Sequence, residues 1–313
     1  MKLQAPSNMN MALQTVFALV TGLVLGAVPP ALGQDGCVSL SQPNPIAQQY
    51  PELPTGTLNV TIAVVPIPLR VARKMLPSKW KILTRPYRAL LPDFPPDKYP
   101  VFMQFALDHD IQVTAVKFSI SRLSAAFSFP FIDLLGDGYT SFTWTPTQLI
   151  SYNNIAAITE AEKYGQTVHP ARFDPECNAY RYVKSPPFKR DTYGKSSSVA
   201  VNGSNPNTHV EMQFTPLPNQ NKSPYPLEFF KNITNQPIFG DGVACDLQIR
   251  LFNTSLSQAP FEPRYVRGSI SANLPPMEKV KKGRGMDYFG VQIDTAFIEV
   301  NSLNCSTLQG YEG

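Results

Sequence analysis

The residues best suited to chemistry lie at the end of one strongly alternating segment, YPVFMQFALDHD, from Tyr99 to Asp110. The alternation has the period of a β-strand and places Gln104 and Asp108 on the same face. His109 stands between two aspartates, and a carboxylate that holds one ring nitrogen fixes the tautomer of a general base and raises its pKa. The segment therefore predicts an acid–base cluster at a strand end, with a simple turn cap as the alternative.

A second group of candidate residues lies in EKYGQTVHPA, from Glu162 to Ala171. The imidazole of His169 could donate a proton to a carbonyl oxygen, or polarise it, without forming a covalent adduct. Glu162 and Tyr164 are candidates because they are close in sequence. The alternative is a loop histidine before Pro170 that has no task, because residues before proline are often extended linkers.

The elements that must position these residues are mostly short strands. The segment PLRVARKMLP predicts one short helix, with Leu69, Ala72 and Leu76 on one face and a proline at each end. With 31 prolines and few helical stretches, the sequence predicts an α+β fold that is mainly antiparallel β, although periodicity alone also allows a sandwich. Strands are predicted at 58–65, 99–110, 114–129, 139–145, 245–252, 265–274 and 288–300, and 147–164 reads as a strand that leads into a short helix.

Two of these segments carry a family resemblance. The helix and strand VVPIPLRVARKMLPSKWKIL and VFMQFALDHD resemble the opening of the acetoacetate decarboxylase superfamily, and EKYGQTVHPA is similar to that family's Glu-x-Tyr-Gly-x-Pro-Lys-Lys segment. The resemblance covers roughly residues 58–171. It implies a cone or barrel with a few short helices, a small carbonyl substrate, and a lysine that forms a Schiff base with it.

The chain departs from this family at the positions that carry the chemistry. The two lysine positions fall on Val168 and His169, and the two glutamate positions fall on Gln104 and near Ser119. Valine forms no imine, so the resemblance implies a kept scaffold with acid–base rather than Schiff-base chemistry. In the alternative alignment, a slip of a few residues brings Lys163 into the site.

The amino terminus predicts the compartment. An apolar run from Met11 to Val28 follows Lys2, and the small residues Ala31 and Gly33 precede Gln34, as in a cleaved secretory signal. The truly apolar stretch is shorter than the roughly 20 residues of an uncleaved spanning helix. We therefore expect a signal peptide at 1–33, an extended arm at 34–57, and one domain at 58–313 with a long irregular insertion near 174–240. The protein would be secreted or lie in the secretory-pathway lumen, without a membrane partner after cleavage.

Four cysteines in an oxidising compartment predict two disulfides, for which three connectivities are possible. The favoured pairs are Cys37 with Cys305, which would join the chain ends, and Cys177 with Cys245, which would span the irregular middle. The same compartment makes six N-glycosylation sequons meaningful, at Asn59, Asn202, Asn221, Asn232, Asn253 and Asn304.

Composition and motifs disfavour the common alternatives. The net charge of +4 is small, and the basic cluster Lys279 to Arg284 is interpreted as a solvated loop, so no nucleic-acid partner is expected. The cysteines and the histidines His109, His169 and His209 lack metal-ligand spacing, and no metal or other cofactor is expected. The sequence has no nucleophile elbow, phosphate loop, dinucleotide fingerprint or recognisable glycosidase carboxylate pair.

The leading hypothesis is a secreted protein that binds a small carbonyl compound, β-keto or polyketide-like. If it is catalytic, it would be a lyase-type tailoring enzyme, such as a decarboxylase, dehydratase or cyclase of secondary metabolism, that uses acid–base chemistry. Gln104, Asp108 and His109 would line the cavity from one strand and His169 from the opposing segment. The alternative is a non-enzymatic ligand-binding or extracellular interaction glycoprotein on the same fold. The sequence does not fix the oligomeric state.

Overall fold

The computed structural model describes residues 43–113, 116–117, 122–184, 192–201, 207–279 and 285–312. All of them belong to the compact unit Val38–Gly313. The predicted signal peptide lies outside the described residues, and so do Cys37, Ser119, Asn202 and most of the basic cluster that ends at Arg284.

The described chain is mostly β-strand with few helices, which confirms the predicted α+β, mainly antiparallel class. The helices are α1 (Leu69–Met75), α2 (Thr84–Leu90), α3 (Ile155–Lys163) and α4 (Leu227–Thr234). The strands are β1 (Thr55–Pro68), β2 (Lys81–Ile82), β3 (Lys98–Val113), β4 (Val116–Lys117), β5 (Arg122–Asp133), β6 (Phe142–Trp144), β7 (Thr147–Ser151), β8 (Thr167–Asp174), β9 (Arg181–Lys184), β10 (Thr192–Ala200), β11 (His209–Pro216), β12 (Ile238–Phe239), β13 (Ala244–Leu251), β14 (Arg264–Asn273) and β15 (Met286–Asn304).

The strand pairings close into a circuit. β1 pairs with β3 on one side and β15 on the other, and β3 continues to β5, β7 and β8. From β8 the path returns through β10, β11 and β14 to β15. β13 pairs with β15 as well, and the short β12 connects it to β6 and β5. Residues far apart in sequence, on β3, β5 and β13, are thereby brought around one space.

Both faces of the central strands are covered by apolar side chains. The sequences of these strands are therefore almost continuous hydrophobic runs. In β3, residues from Tyr99 to Asp108 are buried on both faces except for half-buried Gln104. Tyr87 of α2 is completely buried and packs its ring against Tyr99 and Phe131, at centroid distances of 6.0 and 5.7 Å. Each such aromatic pair stabilises the fold by about 0.5–1.5 kcal/mol in addition to the contribution of its buried area. They fix α2 and the start of β3 to β5.

The predicted short helix is confirmed as α1. It begins after Pro68, buries Leu69 and Ala72, and ends with the Leu76 N–H donating to the Ala72 carbonyl before Pro77. In the part of the chain that the structure describes, no helix is long and apolar enough to cross a membrane.

Residues 174–240, where the sequence predicts a long irregular insertion, contain several regular elements. The strands β10 and β11 lie there and belong to the main sheet, where β11 pairs with β14. Helix α4 follows and buries Phe229, Phe230 and Ile233. A Pro- and Asn-rich composition therefore does not exclude regular strands here, because β10 and β11 pair with β8 and β14, which lie almost wholly outside this range.

The favoured disulfide pairing is wrong, because Cys245 is bonded to Cys305. The antiparallel pairing of β13 with β15 sets Cys245 opposite Leu303 and brings the two cysteine Cα atoms to 5.1 Å. Cys177 is also disulfide-bonded. The chain has four cysteines, and Cys245 and Cys305 form one pair. We therefore expect Cys37 to be the partner of Cys177.

Removal of the Cys245–Cys305 bond should destabilise the protein. The cysteines are 60 residues apart, and the loop-entropy relation gives about 4 kcal/mol for a loop of that length. We expect Cys245→Ala/Cys305→Ala to lower the free energy of unfolding by about 2–5 kcal/mol, measured by urea denaturation. Non-reducing peptide mapping of the wild type checks the connectivity, and a Cys177–Cys245 or Cys37–Cys305 peptide would contradict it.

Candidate functional site

A small polar cavity of about 50 Å³ lies where β3, β5, β7, the end of α3 and β13 meet. Most of its wall is polar or charged, which is unusual inside an otherwise apolar core. The lining residues are Leu58, Gln104, Ala106, Asp108, Arg122, Ser124, Ala126, Ser128, Thr145, Gln148, Ala161, Tyr164, Gln166, Ile238, Asp246, Gln248 and Arg250. A cluster of this kind is costly to bury, so it indicates a site rather than core packing.

One wall carries a buried ion pair across two neighbouring strands. Asp108 of β3 lies opposite Arg122 of β5, and Arg122 Nε donates to Asp108 Oδ2 at 2.6 Å. Burial lowers the pKa of Arg122, but Asp108 and further carboxyls outweigh this and raise it above its usual value. The second carboxylate oxygen, Asp108 Oδ1, has no hydrogen-bond partner among the described residues.

The facing wall is the polar side of β13. Its alternation puts Asp246, Gln248 and Arg250 on one face, and Arg250 Nε donates to Gln248 Oε1 at 3.1 Å. Burial lowers the pKa of Arg250 to about 10, with Asp108 opposing that shift, so its guanidinium is still charged at neutral pH. Its Nη1 atom is buried and has no partner in the described part of the chain.

The carboxyls around the cavity hold protons unusually well. Burial, and next the charge of Glu160, raise the pKa of Asp246 to about 7. Burial raises the pKa of Glu160, and burial together with Asp246 raises the pKa of Glu299 well above its usual value. Glu299 lies opposite Gln248 in the β13–β15 pairing. Near pH 7 the site therefore contains both a proton donor and two fixed positive charges.

Four buried polar atoms without a hydrogen-bond partner among the described residues belong to residues that line this cavity. They are Gln104 Oε1, Asp108 Oδ1, Asp246 Oδ1 and Arg250 Nη1. Buried polar groups in native proteins are almost always hydrogen-bonded to protein, water or ligand. Three acceptors and one cationic donor around one space fit a small molecule that both donates and accepts hydrogen bonds.

Of the two candidate residues Glu162 and Tyr164, only Tyr164 belongs to the cavity lining. Tyr164 lines the cavity, and its hydroxyl donates to Asn301 Oδ1 at 2.9 Å. Burial, followed by Asp246, raises the pKa of Tyr164 far above its usual value. Glu162 is exposed on α3 and lies away from the cavity lining, and Lys163 is also exposed there. The alternative alignment that brings Lys163 into the site finds no support in this geometry.

The structure does not bring the two histidine candidates into the cavity lining. His109 is buried on the opposite face of β3 from Asp108, with its Nδ1 2.9 Å from Asp110 Oδ2. His169 is half-buried on β8 opposite Leu149, where burial lowers its pKa. Gln104 and Asp108 do share the lining, as their spacing predicts. The catalytic roles of all these residues stay predictions.

Val168, at the position of the family's Schiff-base lysine, packs against the apolar side chains Ile150, Ala157, Ile158 and Ala161. Among the residues that the structure describes, no lysine lines the cavity. An imine with a bound carbonyl compound therefore has no described nitrogen to form on. The described ranges also contain no group of three or more His, Cys, Asp or Glu residues placed to hold a metal ion.

Arg122, Asp246 and Arg250 were missed by sequence reasoning, together with Glu160 and Glu299. The segment ACDLQIRL lies in the predicted strand 245–252 and alternates, with Leu247, Ile249 and Leu251 on its apolar face. The opposite face of the same strand carries Asp246, Gln248 and Arg250. Three polar residues on one face of a strand that packs in an apolar core are the signal that could have revealed the site.

Solved structures that are similar to the described fold include the enduracididine biosynthesis enzyme MppR with HEPES bound, at 11% identity and a TM-score of 0.46, over 89% of this chain and 97% of that one. An acetoacetate decarboxylase-like enzyme from Sphingomonas wittichii RW1 matches at 10% identity and a TM-score of 0.43, over 81% of this chain and 94% of that one. MppR complexed with pyruvate matches at 11% identity and a TM-score of 0.43, over 86% of this chain and 98% of that one. No family model matches the chain, and no curated protein matches it.

One of these matches carries the name of the acetoacetate decarboxylase-like class that the sequence resembles. The chemistry of the cavity rests on the residues described above.

Proposed function

We propose that the protein binds a small β-keto compound in the cavity between β3 and β13 and acts on it by acid–base chemistry without a Schiff base. The observation that carries this proposal is the set of buried, unpartnered atoms on Gln104, Asp108, Asp246 and Arg250 around one space. The charged Arg250 guanidinium suits the carboxylate of a β-keto acid. Asp246, with a pKa of about 7, suits the carbonyl oxygen as a proton donor.

The cavity volume favours a small ligand over a polyketide. One water needs about 10–15 Å³ of such space, and the cavity offers about 50 Å³. A compound of a few heavy atoms fits this space without rearrangement. Among β-keto and polyketide-like ligands, an acetoacetate-like molecule is one of the smallest, and its carboxylate suits the charges of the cavity.

The proposed reaction is the decarboxylation of the β-keto acid. Asp246 transfers its proton to the ketone oxygen while the bond between the α-carbon and the carboxylate breaks, and carbon dioxide leaves. The electron pair of that bond forms the enol. The enol then takes a solvent proton at carbon and returns its hydroxyl proton to Asp246, so one proton is consumed for each decarboxylation.

Turnover of acetoacetate, followed by proton NMR, tests this function. We expect the wild type to release acetone, Asp246→Asn to lose at least about 100-fold in rate, and Asp287→Asn, an exposed carboxylate elsewhere, to retain it. Borohydride added during turnover should leave the intact mass unchanged. A reduced adduct on a lysine would overturn the non-covalent mechanism, and binding without turnover by the wild type would favour the ligand-binding alternative.

We propose further that the protein is secreted, on the basis of the apolar run at 11–28 and the sequons. The positions of the sequons make this testable. Asn59 is half-buried inside β1, between β3 and β15, whereas Asn221 and Asn253 are exposed in connecting segments. After secretion from a eukaryotic host, we expect glycans on Asn221 and Asn253 and none on Asn59, as read by site-resolved mass spectrometry. A glycan on Asn59, or none on the other two, would contradict this prediction.

A further inference from the structure

The segment from Arg70 to Arg88, which contains most of α1, all of β2 and most of α2, has seven basic residues and no acidic one. All seven side chains are exposed. The whole chain has a net charge of only +4, so this segment holds more positive charge than the net charge of the entire protein. The seven residues, called the basic surface here, are Arg70, Arg73, Lys74, Lys79, Lys81, Arg85 and Arg88.

The two helices present their charges side by side. On α1, Arg70, Arg73 and Lys74 follow the spacing of one helical face, opposite buried Leu69 and Ala72. The turn at 95–98 joins the helices, because the Leu69 N–H donates to the Asp97 carbonyl at 2.7 Å and Arg88 Nη2 donates to the Pro96 carbonyl at 2.8 Å. Burial raises the pKa of Tyr87, and the charges of Arg88 and then Arg73 oppose that rise, so Arg73 of α1 lies near α2.

Few acidic residues lie beside the basic surface: Asp133 is opposite Lys81 in the β2–β5 pairing, and the Asp241 carbonyl accepts from Lys79 Nζ at 3.5 Å. Within the described ranges, none of its seven side chains forms an ion pair with a carboxylate. The nearest acidic residues in sequence are Asp93 and Asp97, which are exposed, and Asp97 lies 3.9 Å from Lys98. Uncompensated positive charge of this density attracts an anionic partner.

An apolar groove of about 550 Å³ begins where the basic surface ends. Leu90, the last residue of α2, lines it together with Phe94, and Tyr225 and Tyr288 contribute aromatic rings to its lining. Asp93 and Asp287 also line it. A basic surface that passes directly into an apolar groove matches an amphiphile with an anionic head and a hydrocarbon tail.

We propose that α1, α2 and the segment between them form a docking surface for an anionic lipid bilayer, with the headgroups on the basic surface and acyl carbon over the groove. Clusters of four to eight lysines and arginines bind anionic lipid in this way. A nucleic acid is a poorer fit, because Trp80 and Tyr87, the aromatic residues of the segment, are only 8% and 0% exposed and offer no ring for a base to stack on. This surface is independent of the inner cavity, and it replaces the expectation of no membrane partner.

Partitioning onto vesicles tests the proposal. Full-length protein is sedimented with vesicles of phosphatidylcholine alone and with vesicles that contain one-fifth phosphatidylserine, in 0.1 M salt. Each basic residue near an anionic surface changes partitioning about fivefold. We expect the wild type to prefer the anionic vesicles, and Arg73→Gln/Lys74→Gln/Arg85→Gln to lower that partitioning by about 100-fold.

The matched control is Arg181→Gln/Lys222→Gln/Arg267→Gln, which removes three exposed positive charges elsewhere. It should stay within about threefold of the wild type, and unchanged thermal midpoints should verify that both variants fold. The apolar run at 11–28 is the same in all three proteins, so it does not contribute to the difference. No preference of the wild type for anionic vesicles, an equal loss in both triple variants, or binding to a single-stranded oligonucleotide but not to vesicles would overturn the proposal.

Discussion

Replacing Arg122 by methionine is expected to lower the free energy of unfolding by about 3–5 kcal/mol. Asp108 is 1% exposed, and Arg122 is its ion-pair partner across β3 and β5 at 2.6 Å. Removing Arg122 leaves the buried Asp108 carboxylate without its hydrogen-bonded partner, which costs far more than the pair itself contributes. Urea denaturation at pH 7 measures the loss, with the change in midpoint read at constant slope.

A double-mutant cycle separates the buried charge from lost packing. Asp108→Leu/Arg122→Met removes both charges and should recover most of the stability that Arg122→Met loses, because apolar replacement of a buried pair is often neutral or stabilising. Arg181→Met breaks an exposed pair with Asp174 and should cost less than about 1 kcal/mol. If Arg122→Met costs no more than Arg181→Met, Asp108 is not held in a dry site, and the description of the cavity fails.

Stability should fall as the pH rises from about 4 to 7. The pKa of Asp246 is raised to about 7 in the folded protein, first by burial and next by Glu160, against about 3.9 in an unfolded chain. The folded state therefore binds the proton more tightly, so the stabilisation is complete below pH 4 and is lost as the pH passes through 7. For Asp246 alone the loss is on the order of 4 kcal/mol. Raised pKa values at Glu160, Glu299 and Asp294 act in the same direction.

Asp246→Asn isolates this contribution, because the amide stays neutral at every pH. The variant should match the wild type near pH 4 and exceed it by a few kcal/mol at pH 8, as measured by denaturation across that range. Asp287→Asn, on the surface, should follow the wild type throughout. Parallel wild-type and Asp246→Asn curves would show that Asp246 ionises freely in the folded state, which removes the basis for its role as a proton donor.

The parts of the fold that are predictable from the sequence are those with a strong local period. Residues 68–77 have a helical face and prolines at both ends, and residues 99–110 alternate, so α1 and β3 follow directly. The Gly136-Asp137-Gly138 turn also follows, and both glycines have positive φ. Helices α2 and α4 are about as short as α1 but were not predicted, and the buried rings of Tyr87, Phe229 and Phe230 stabilise them.

The residues of the site also separate into those that a local period predicts and those that it does not. Gln104 and Asp108 share a face because both lie on one strand, and a period of two is a local property. The facing residues Asp246 and Arg250 reach the cavity through the pairing of β13 with β12 and β15, which no local pattern reports. The disulfide was mispaired for the same reason, since only the β13–β15 register places Cys245 beside Cys305. The histidines were chosen for their residue type and for their neighbours in the sequence, and strand alternation turns His109 away from the cavity.

Calorimetric titration with acetoacetate is the most direct test of a cavity that recognises a small β-keto acid through Arg250. Charge-assisted hydrogen bonds contribute about 1.5–3 kcal/mol, so Arg250→Met should bind about 10- to 150-fold more weakly than the wild type. Arg267→Met, which removes an exposed arginine of β14, should bind like the wild type. If the wild type does not bind acetoacetate, or if Arg250→Met binds it equally well, the account of this site is contradicted.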